Sequence, residues 1–150
     1  MSLSSSAARV QAALVAAGID ARVVELPQST RTAVEAAQAC GCEVAQIVKS
    51  LVFVDGGGEA VLVLTSGTNR VDEKRLGLTK APADFVREKT GYAIGGVPPV
   101  GLATPVRTLI DHDLLRFERI WAAAGTPNAV FEMRAADLPR LTGGELTSVS

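Results

Sequence analysis

Lys49 is the residue in this sequence whose surroundings most demand a chemical explanation. It sits in Gln46-Ile47-Val48-Lys49-Ser50-Leu51-Val52-Phe53-Val54, otherwise a β-branched and apolar run. Residues two apart share a face of a strand. Ile47 and Leu51 beside Lys49, and Val48 and Val52 on the other face, are all apolar, the pattern of a strand buried on both sides. An ammonium group is almost never buried without a partner. Lys49 therefore either guards an edge strand against aggregation or points into a polar cleft. In a cleft, its three donors suit a phosphate. A lysine of lowered pKa in an apolar pocket could instead form a Schiff base, which borohydride trapping would detect.

Gly95-Gly96-Val97-Pro98-Pro99-Val100-Gly101 is the second candidate. Glycines let a ligand approach backbone N–H groups, and prolines stiffen the loop. Such a loop can hold an oxyanion or a phosphate, although Gly/Pro loops often only turn the chain. The remaining chemical residues offer less. The single histidine, His112, lies between Asp111 and Asp113 in a turn and reads as structural or solvated, since a general base needs a defined partner. Cys40 and Cys42 are spaced C-x-C, neither the redox C-x-x-C nor half of a zinc site, and read as packed thiols. With one histidine, no metal site is expected. No phosphate-binding or dinucleotide fingerprint is present, because Gly56-Gly57-Gly58 precedes a strand rather than a helix. No cofactor is expected.

The elements that would position these groups can be read from caps and periodicity. A helix is expected over 4–17, with serines as N-caps and Gly18 as the stop. A short strand follows at 21–26. Thr32-Ala33-Val34-Glu35 is a capping box opening a helix that ends at Cys40 before Gly41. Strands at 47–54 and 60–65 are joined by the hairpin loop Asp55-Gly56-Gly57-Gly58-Glu59. Asp72 caps a short helix through Leu78, and Pro82 begins another that runs to Thr90. After the loop at 95–105, strands are expected at 106–110, 119–124 and 128–133, a helix at 135–141 and a last strand at 146–149. Strands do not alternate regularly with long helices. This points to an α+β class: one compact domain over 1–150 with a largely antiparallel, barrel-like mixed sheet flanked by helices.

Composition narrows the function. The 150 residues fit one domain, and 47% hydrophobic with 21% charged residues is a globular balance. A net charge of −1 argues against bulk binding of DNA. No apolar stretch approaches the ~20 residues of a membrane span, and no signal peptide is recognisable, so a cytoplasmic location is expected.

Lys49 with Ser50-Leu51-Val52-Phe53, the Gly-Gly-x-x-Pro-x-Gly loop, Asp111 closing a strand, and Ala124-Gly125-Thr126-Pro127-Asn128 occur in this order over about 30–145. This ordered set resembles the YbaK/prolyl-tRNA editing family of aminoacyl-tRNA deacylases. The resemblance implies an α/β domain with a barrel-like sheet that hydrolyses the ester joining a wrong amino acid to a tRNA 3′ end. It makes Lys49 the key lysine and Gly101 the glycine closing the active-site loop. Ser50, Gly95, Gly96, Val97, Pro98, Pro99, Thr126 and Asn128 are the expected substrate-binding residues. Val97 and Pro98 stand where some members carry small polar residues, and Leu102 where some carry histidine. Amino-acid specificity is thereby left open, with a small apolar pocket favouring alanine, or cysteine, on tRNA for proline. At this length the domain is expected to act free-standing, on a charged tRNA acceptor end and with a synthetase as a potential partner. The competing reading is a module that binds aminoacyl-tRNA or a synthetase without hydrolysis. Arg70, Lys74, Arg75, Lys80, Arg87 and Lys89 form the densest basic stretch. They read either as tRNA backbone contacts or as a solvated helix face.

Overall fold

The computed structural model describes residues 3–150. Eight strands and five helices are found among them. The strands are β1 Val23–Glu25, β2 Ile47–Val54, β3 Ala60–Ser66, β4 Thr79–Lys80, β5 Arg107–Asp111, β6 Arg119–Ala123, β7 Ala129–Arg134 and β8 Glu145–Thr147. The helices are α1 Ser5–Ala16, α2 Ala33–Cys40, α3 Glu73–Leu76, α4 Ala83–Thr90 and α5 Leu138–Thr142. Short 3-10 segments lie at Val44–Gln46, His112–Arg116 and Ala135–Asp137.

Local chemistry sets most boundaries. Ser4 caps α1 by accepting from the Ala7 N–H. Both bonds of the Thr32/Glu35 capping box form, and α2 stops where Gly41 turns left-handed at φ 71°. Asp55 holds the β2–β3 hairpin by accepting from the Gly57 and Glu59 N–H groups at 2.9 and 3.0 Å. Two boundaries differ from expectation. The short helix after Asp72 ends at Leu76, because Gly77 takes the left-handed conformation at φ 68°. Pro82 stands just outside α4 as its cap rather than as its first residue.

The sheet runs β1-β7-β6-β2-β3-β5-β8, with β4 also on β2. Among the described residues β1–β7, β2–β3, β2–β4 and β6–β7 are antiparallel, while β2–β6, β3–β5 and β5–β8 are parallel. The sheet is mixed with most of its paired residues antiparallel, as expected. β1 and β8 stand at the two ends of the strand path, each paired on one side. One face of β2 and β3, including Val48, Leu62 and Leu64, packs into the main core with α1, Tyr92 and Phe131. The other face, with Phe53, Val61 and Val63, meets Val71, Leu78 and Val149.

The feature that makes a site is a split beside β2. One edge of β2 pairs with β3 from Val48 to Val54. Its other edge pairs with β6 at Ile47 and Val48, and with β4 at Phe53 and Val54. Between those two contacts, residues 49–52 have no strand partner on that edge. Main-chain groups of alternate strand residues point to opposite edges. Asp55 donates across the hairpin to Glu59, and the Val54 carbonyl turns to Thr79 of β4. By that alternation Ser50 and Val52 present their N–H and C=O groups to the open edge.

Candidate active site

Two cavities flank the open edge. One, about 290 Å³, lies between β2, β6, the start of α2 and the Gly95 loop, with Ala33, Ala36, Ala122 and Trp121 in its wall. The other, about 280 Å³, lies toward α3 and β4. Lys49, Ser50, Leu51, Ile94 and Val97 line both, so the cavities meet at the split. Ile94 is 57% exposed and forms an apolar lip above it.

Lys49 is half-buried and donates to the main-chain carbonyl of Asn69 at 2.5 Å. Asn69 is itself clamped: its Nδ2 donates to Asp111 Oδ2 and to Asp113 Oδ2, each at 2.8 Å. Asp111, only 1% exposed, also accepts from the Ser66 N–H at 3.0 Å and the Asp113 N–H at 3.0 Å. Thr65 stands directly opposite Lys49 in the β2–β3 register. Continuing the parallel β3–β5 register by one residue past Leu64 and Ile110 brings Asp111 beside Thr65. Lys49, Thr65 and Asp111 thus form a polar row on an otherwise apolar face. Desolvation lowers the Lys49 pKa from its ordinary value, the Asp111 carboxylate opposes the shift, and Arg70 reinforces it. The ammonium is held near the split by hydrogen bonding and long-range attraction rather than by an ion pair.

The expected site residues separate into those at the cavities and those that support them. Lys49, Ser50, Gly95 and Val97 line the split. Ser50 was expected among the substrate-binding residues. Its Oγ is buried and has no hydrogen-bond partner among the described residues, a polar atom left unsatisfied beside the split. Gly96, Pro98 and Pro99 are buried and line neither cavity. Gly96 accepts from the Gly125 N–H at 2.9 Å, and a Cβ on Gly96 would meet the Gly125 and Thr126 backbone at 3.1 Å. Thr126 and Asn128 are consumed by the β6–β7 turn: Thr126 Oγ1 donates to Asn128 Oδ1, and Asn128 Nδ2 to the Leu26 carbonyl. The turn in turn holds Thr30 through the Pro127 carbonyl.

Gly101 lies apart from the two cavities. Its carbonyl accepts from Tyr92 Oη at 2.9 Å, and it packs toward α1. A left-handed φ of 75°, with Ala13 Cβ and Tyr92 Oη 3.4 Å from a built Cβ, explains the glycine without any ligand. Gly101→Ala should therefore cost about 1 kcal/mol of stability, read as a lowered urea midpoint, with turnover within a few-fold of wild type. A large loss of turnover at full stability would return Gly101 to the oxyanion site.

Sequence reasoning missed Thr30, Arg31 and Trp121 in the first cavity, and Asn69 behind Lys49. Trp121 is the single tryptophan and is followed directly by three alanines, a signal that was available. The basic stretch divides. Arg70 and Lys80 line the second cavity, Arg75 ties down the Ser148 and Ser150 carbonyls, and Lys89 lies over the Phe85 ring. His112 is exposed beside Asp113 and lines neither cavity.

Cys40 and Cys42 are free and half-buried. Burial, then Cys42 and Glu132, push the Cys40 thiol up to about 11; burial with Glu132 and Glu43 also raises Cys42. The thiolate is the reactive form, so iodoacetamide at neutral pH should alkylate Cys40 about a hundredfold more slowly than an unperturbed thiol. Mass spectrometry over a time course checks this, and rapid labelling of the folded protein would refute it. No group of three or more metal-ligating side chains occurs among the described residues. No helix among them is long and apolar enough to cross a membrane.

Neither cavity wall includes a histidine or cysteine among the described residues, and Glu73 is the one carboxylate. What the split offers is an ammonium, free main-chain donors, a buried hydroxyl and two small compartments. That inventory positions and polarises an activated carbonyl; it does not supply a nucleophile triad.

The comparisons with known proteins fit that inventory. The family model of the aminoacyl-tRNA editing domain matches residues 27–141. The solved structure of a proposed trans-editing enzyme for prolyl-tRNA synthetase is 52% identical, with a TM-score of 0.91 over 99% of this chain and 99% of that one. The uncharacterised protein YwhH of Bacillus subtilis (strain 168) is 34% identical over 122 residues, 77% of this chain and 78% of its own. EbsC of Enterococcus faecalis (strain ATCC 700802 / V583), a proposed Cys-tRNA(Pro)/Cys-tRNA(Cys) deacylase, is 25% identical over 121 residues, 76% of this chain and 74% of its own.

Proposed function

The chain belongs to the aminoacyl-tRNA editing domain family, and from that premise we propose that it acts in trans as a deacylase, removing a small amino acid, alanine or cysteine, from tRNA for proline. The observation that carries this reading is the split beside β2, where Lys49 and free main-chain donors lie between two small cavities. An aminoacyl ester has two unlike halves and one reactive carbonyl between them, and the split has the matching layout. The amino-acid side chain occupies the cavity walled by Ala33, Ala36, Ala122 and Trp121. The ester carbonyl lies on the open edge, against the N–H groups of Ser50 and the Gly95 segment, with the Lys49 ammonium adjacent.

Hydrolysis then needs little more. Water adds to the carbonyl carbon, and the negative charge that develops on oxygen is held by the main-chain donors and the ammonium. The bond from that carbon to the terminal ribose oxygen breaks, and the ribose hydroxyl departs with a proton from the attacking water. The neighbouring ribose hydroxyl can relay that proton, since the cavity walls provide no histidine. Holding the ester in place supplies much of the acceleration.

A series of amino acids of increasing size on one tRNA tests the reading. Alanyl and cysteinyl esters should be hydrolysed fastest and the bulky apolar ones most slowly. A rate independent of side-chain size would remove the specificity assignment. Binding of aminoacyl-tRNA without any hydrolysis would establish a sequestering module instead.

A further inference from the structure

The cavity assigned to the acyl group has an electrostatic bias as well as a size limit. Two cations line it, Lys49 from β2 and Arg31 from the segment before α2, and among the described residues no aspartate or glutamate does. Arg31 is accommodated by shape. A Cβ on Gly95 would meet the Arg31 Cγ at 2.9 Å, so the bare glycine leaves room for the arginine stem. Among the described residues Arg31 is in no ion pair. The charged groups on the surrounding elements do not offset this bias within the wall. Glu35 of α2 is exposed and accepts from the Thr32 N–H and hydroxyl. Glu132 of β7, opposite Trp121 in the β6–β7 register, and Arg119 of β6 are exposed and outside the wall. Asp111 stands beyond Thr65 from Lys49 and accepts from Ser66, Asn69 and Asp113. The Cys40 and Cys42 thiols at the end of α2 have raised pKa values and stay uncharged. Glu73 and Arg70 line the other cavity.

We propose that this cavity accepts esters whose α-substituent carries no positive charge, so that the chain takes aminoacyl esters with the amine unprotonated and also hydrolyses α-hydroxyacyl esters of tRNA. The inference rests on the deacylase reading and deepens it. With the ester carbonyl beside Lys49, the α-substituent is one carbon further on. An α-ammonium there is a third cation in a half-enclosed space, close to an ammonium that is itself half-buried, with no carboxylate in the wall to offset it. A terminal α-amino group titrates at roughly 7.7–8.0, so shedding its proton costs little at neutral pH and about tenfold more for each unit below. An unprotonated amine and a hydroxyl are similar in size, and each can donate to the Ser50 carbonyl on the open edge. The hydroxy ester reacts as the amino ester does. Water adds to the carbonyl carbon, the bond to the ribose oxygen breaks, and a hydroxy acid and a free ribose hydroxyl are released. No oxidant or reductant takes part.

The test pairs binding with turnover. The binding probes are 3′-amino-3′-deoxyadenosine carrying an alanyl or a lactyl group in a stable amide linkage. The fluorescence of Trp121, the single tryptophan and part of this cavity wall, reports their binding to the full chain. At pH 6 the lactyl probe should bind about tenfold or more tightly than the alanyl probe, and the two should converge by about pH 8.5. Titration of the protein's own groups acts on both probes, so the ratio isolates the amine. In the double variant Arg31→Gln/Lys49→Met the gap at pH 6 should close. In turnover, wild type should hydrolyse both alanyl-tRNA and lactyl-tRNA. The ratio of their kcat/KM values, alanyl over lactyl, should fall by up to about tenfold per pH unit below the amine pKa. An alanyl probe that binds as well as the lactyl probe at pH 6 would overturn the proposal. So would a gap unchanged in the double variant, a ratio constant with pH, or hydrolysis of the alanyl ester alone. Failure of the deacylase reading looks different: neither ester is hydrolysed, while the pH-dependent gap in binding persists.

Discussion

Lys49→Met is expected to lower the deacylation rate by about a hundredfold or more, the scale of losing one charge-stabilising donor at a developing oxyanion. The folded protein should be no less stable for the change. Methionine keeps the length and apolar stem of the side chain and removes an ammonium whose desolvation is unfavourable. The pH dependence follows from the same cause. Desolvation lowers the Lys49 pKa from 10.5 despite the attraction of Asp111, with Arg70 pushing the same way. Between that depressed value and 10.5 the unfolded chain still holds a proton that the folded chain has released. Wild-type stability from this group therefore rises with pH across that window. The variant lacks the effect, so its advantage should be largest at neutral pH and shrink as pH rises. Urea midpoints at neutral pH and near pH 10 measure it. Wild-type turnover, corrected for spontaneous hydrolysis, should fall over the same window as the ammonium is lost. A marked fall in the midpoint of the variant at neutral pH would show that Lys49 stabilises the fold rather than serving the split.

Asp111→Ala should produce the largest combined loss. The carboxylate accepts from the Ser66 N–H, the Asp113 N–H and the Asn69 amide, and it is almost wholly buried. Removing it leaves those donors without their acceptor, at a cost on the order of 3 kcal/mol. Asn69 would then keep only its bonds to Asp113 and the Ser66 carbonyl, and its carbonyl is what holds Lys49. Turnover should fall by about tenfold or more beyond any loss of folded protein, given how steeply rates depend on placement. Asp111→Asn separates the two effects. It preserves volume but removes the charge that favours the Lys49 ammonium, so the alkaline limb of the pH–rate profile should move to lower pH. A profile unchanged in Asp111→Asn would mean that Asp111 serves the turn alone.

Much of this fold could be read locally. The Thr32/Glu35 capping box, the stop at Gly41 and the Asp55 hairpin all depend on residues within a few positions of one another. The parallel pairings of β2 with β6 and of β3 with β5 could not be read this way, because no local pattern encodes a partner dozens of residues away. β4 is only two residues long and leaves no periodicity to detect, yet it closes one end of the split. The site divides on the same principle. Lys49 was legible as a charge in an apolar run, and Gly95 and Val97 as parts of a stiff loop. Gly96, Thr126 and Asn128 were legible as unusual residues, but their bonds go to distant backbone, as from Asn128 to Leu26. Asn69 follows an unremarkable turn, and only the tertiary structure brings its carbonyl to Lys49. Gly67 explains how that turn fits, since a Cβ there would lie 2.1 Å from the Val44 carbonyl oxygen.

Single-turnover hydrolysis of alanyl-tRNA for proline, with enzyme in excess and Lys49→Met measured beside wild type, tests the central claim most directly. The split-edge site predicts wild-type decay far above the spontaneous rate and a Lys49→Met rate close to it, both proteins being folded. Decay by wild type no faster than the spontaneous rate, or equal decay by the two proteins, would contradict it.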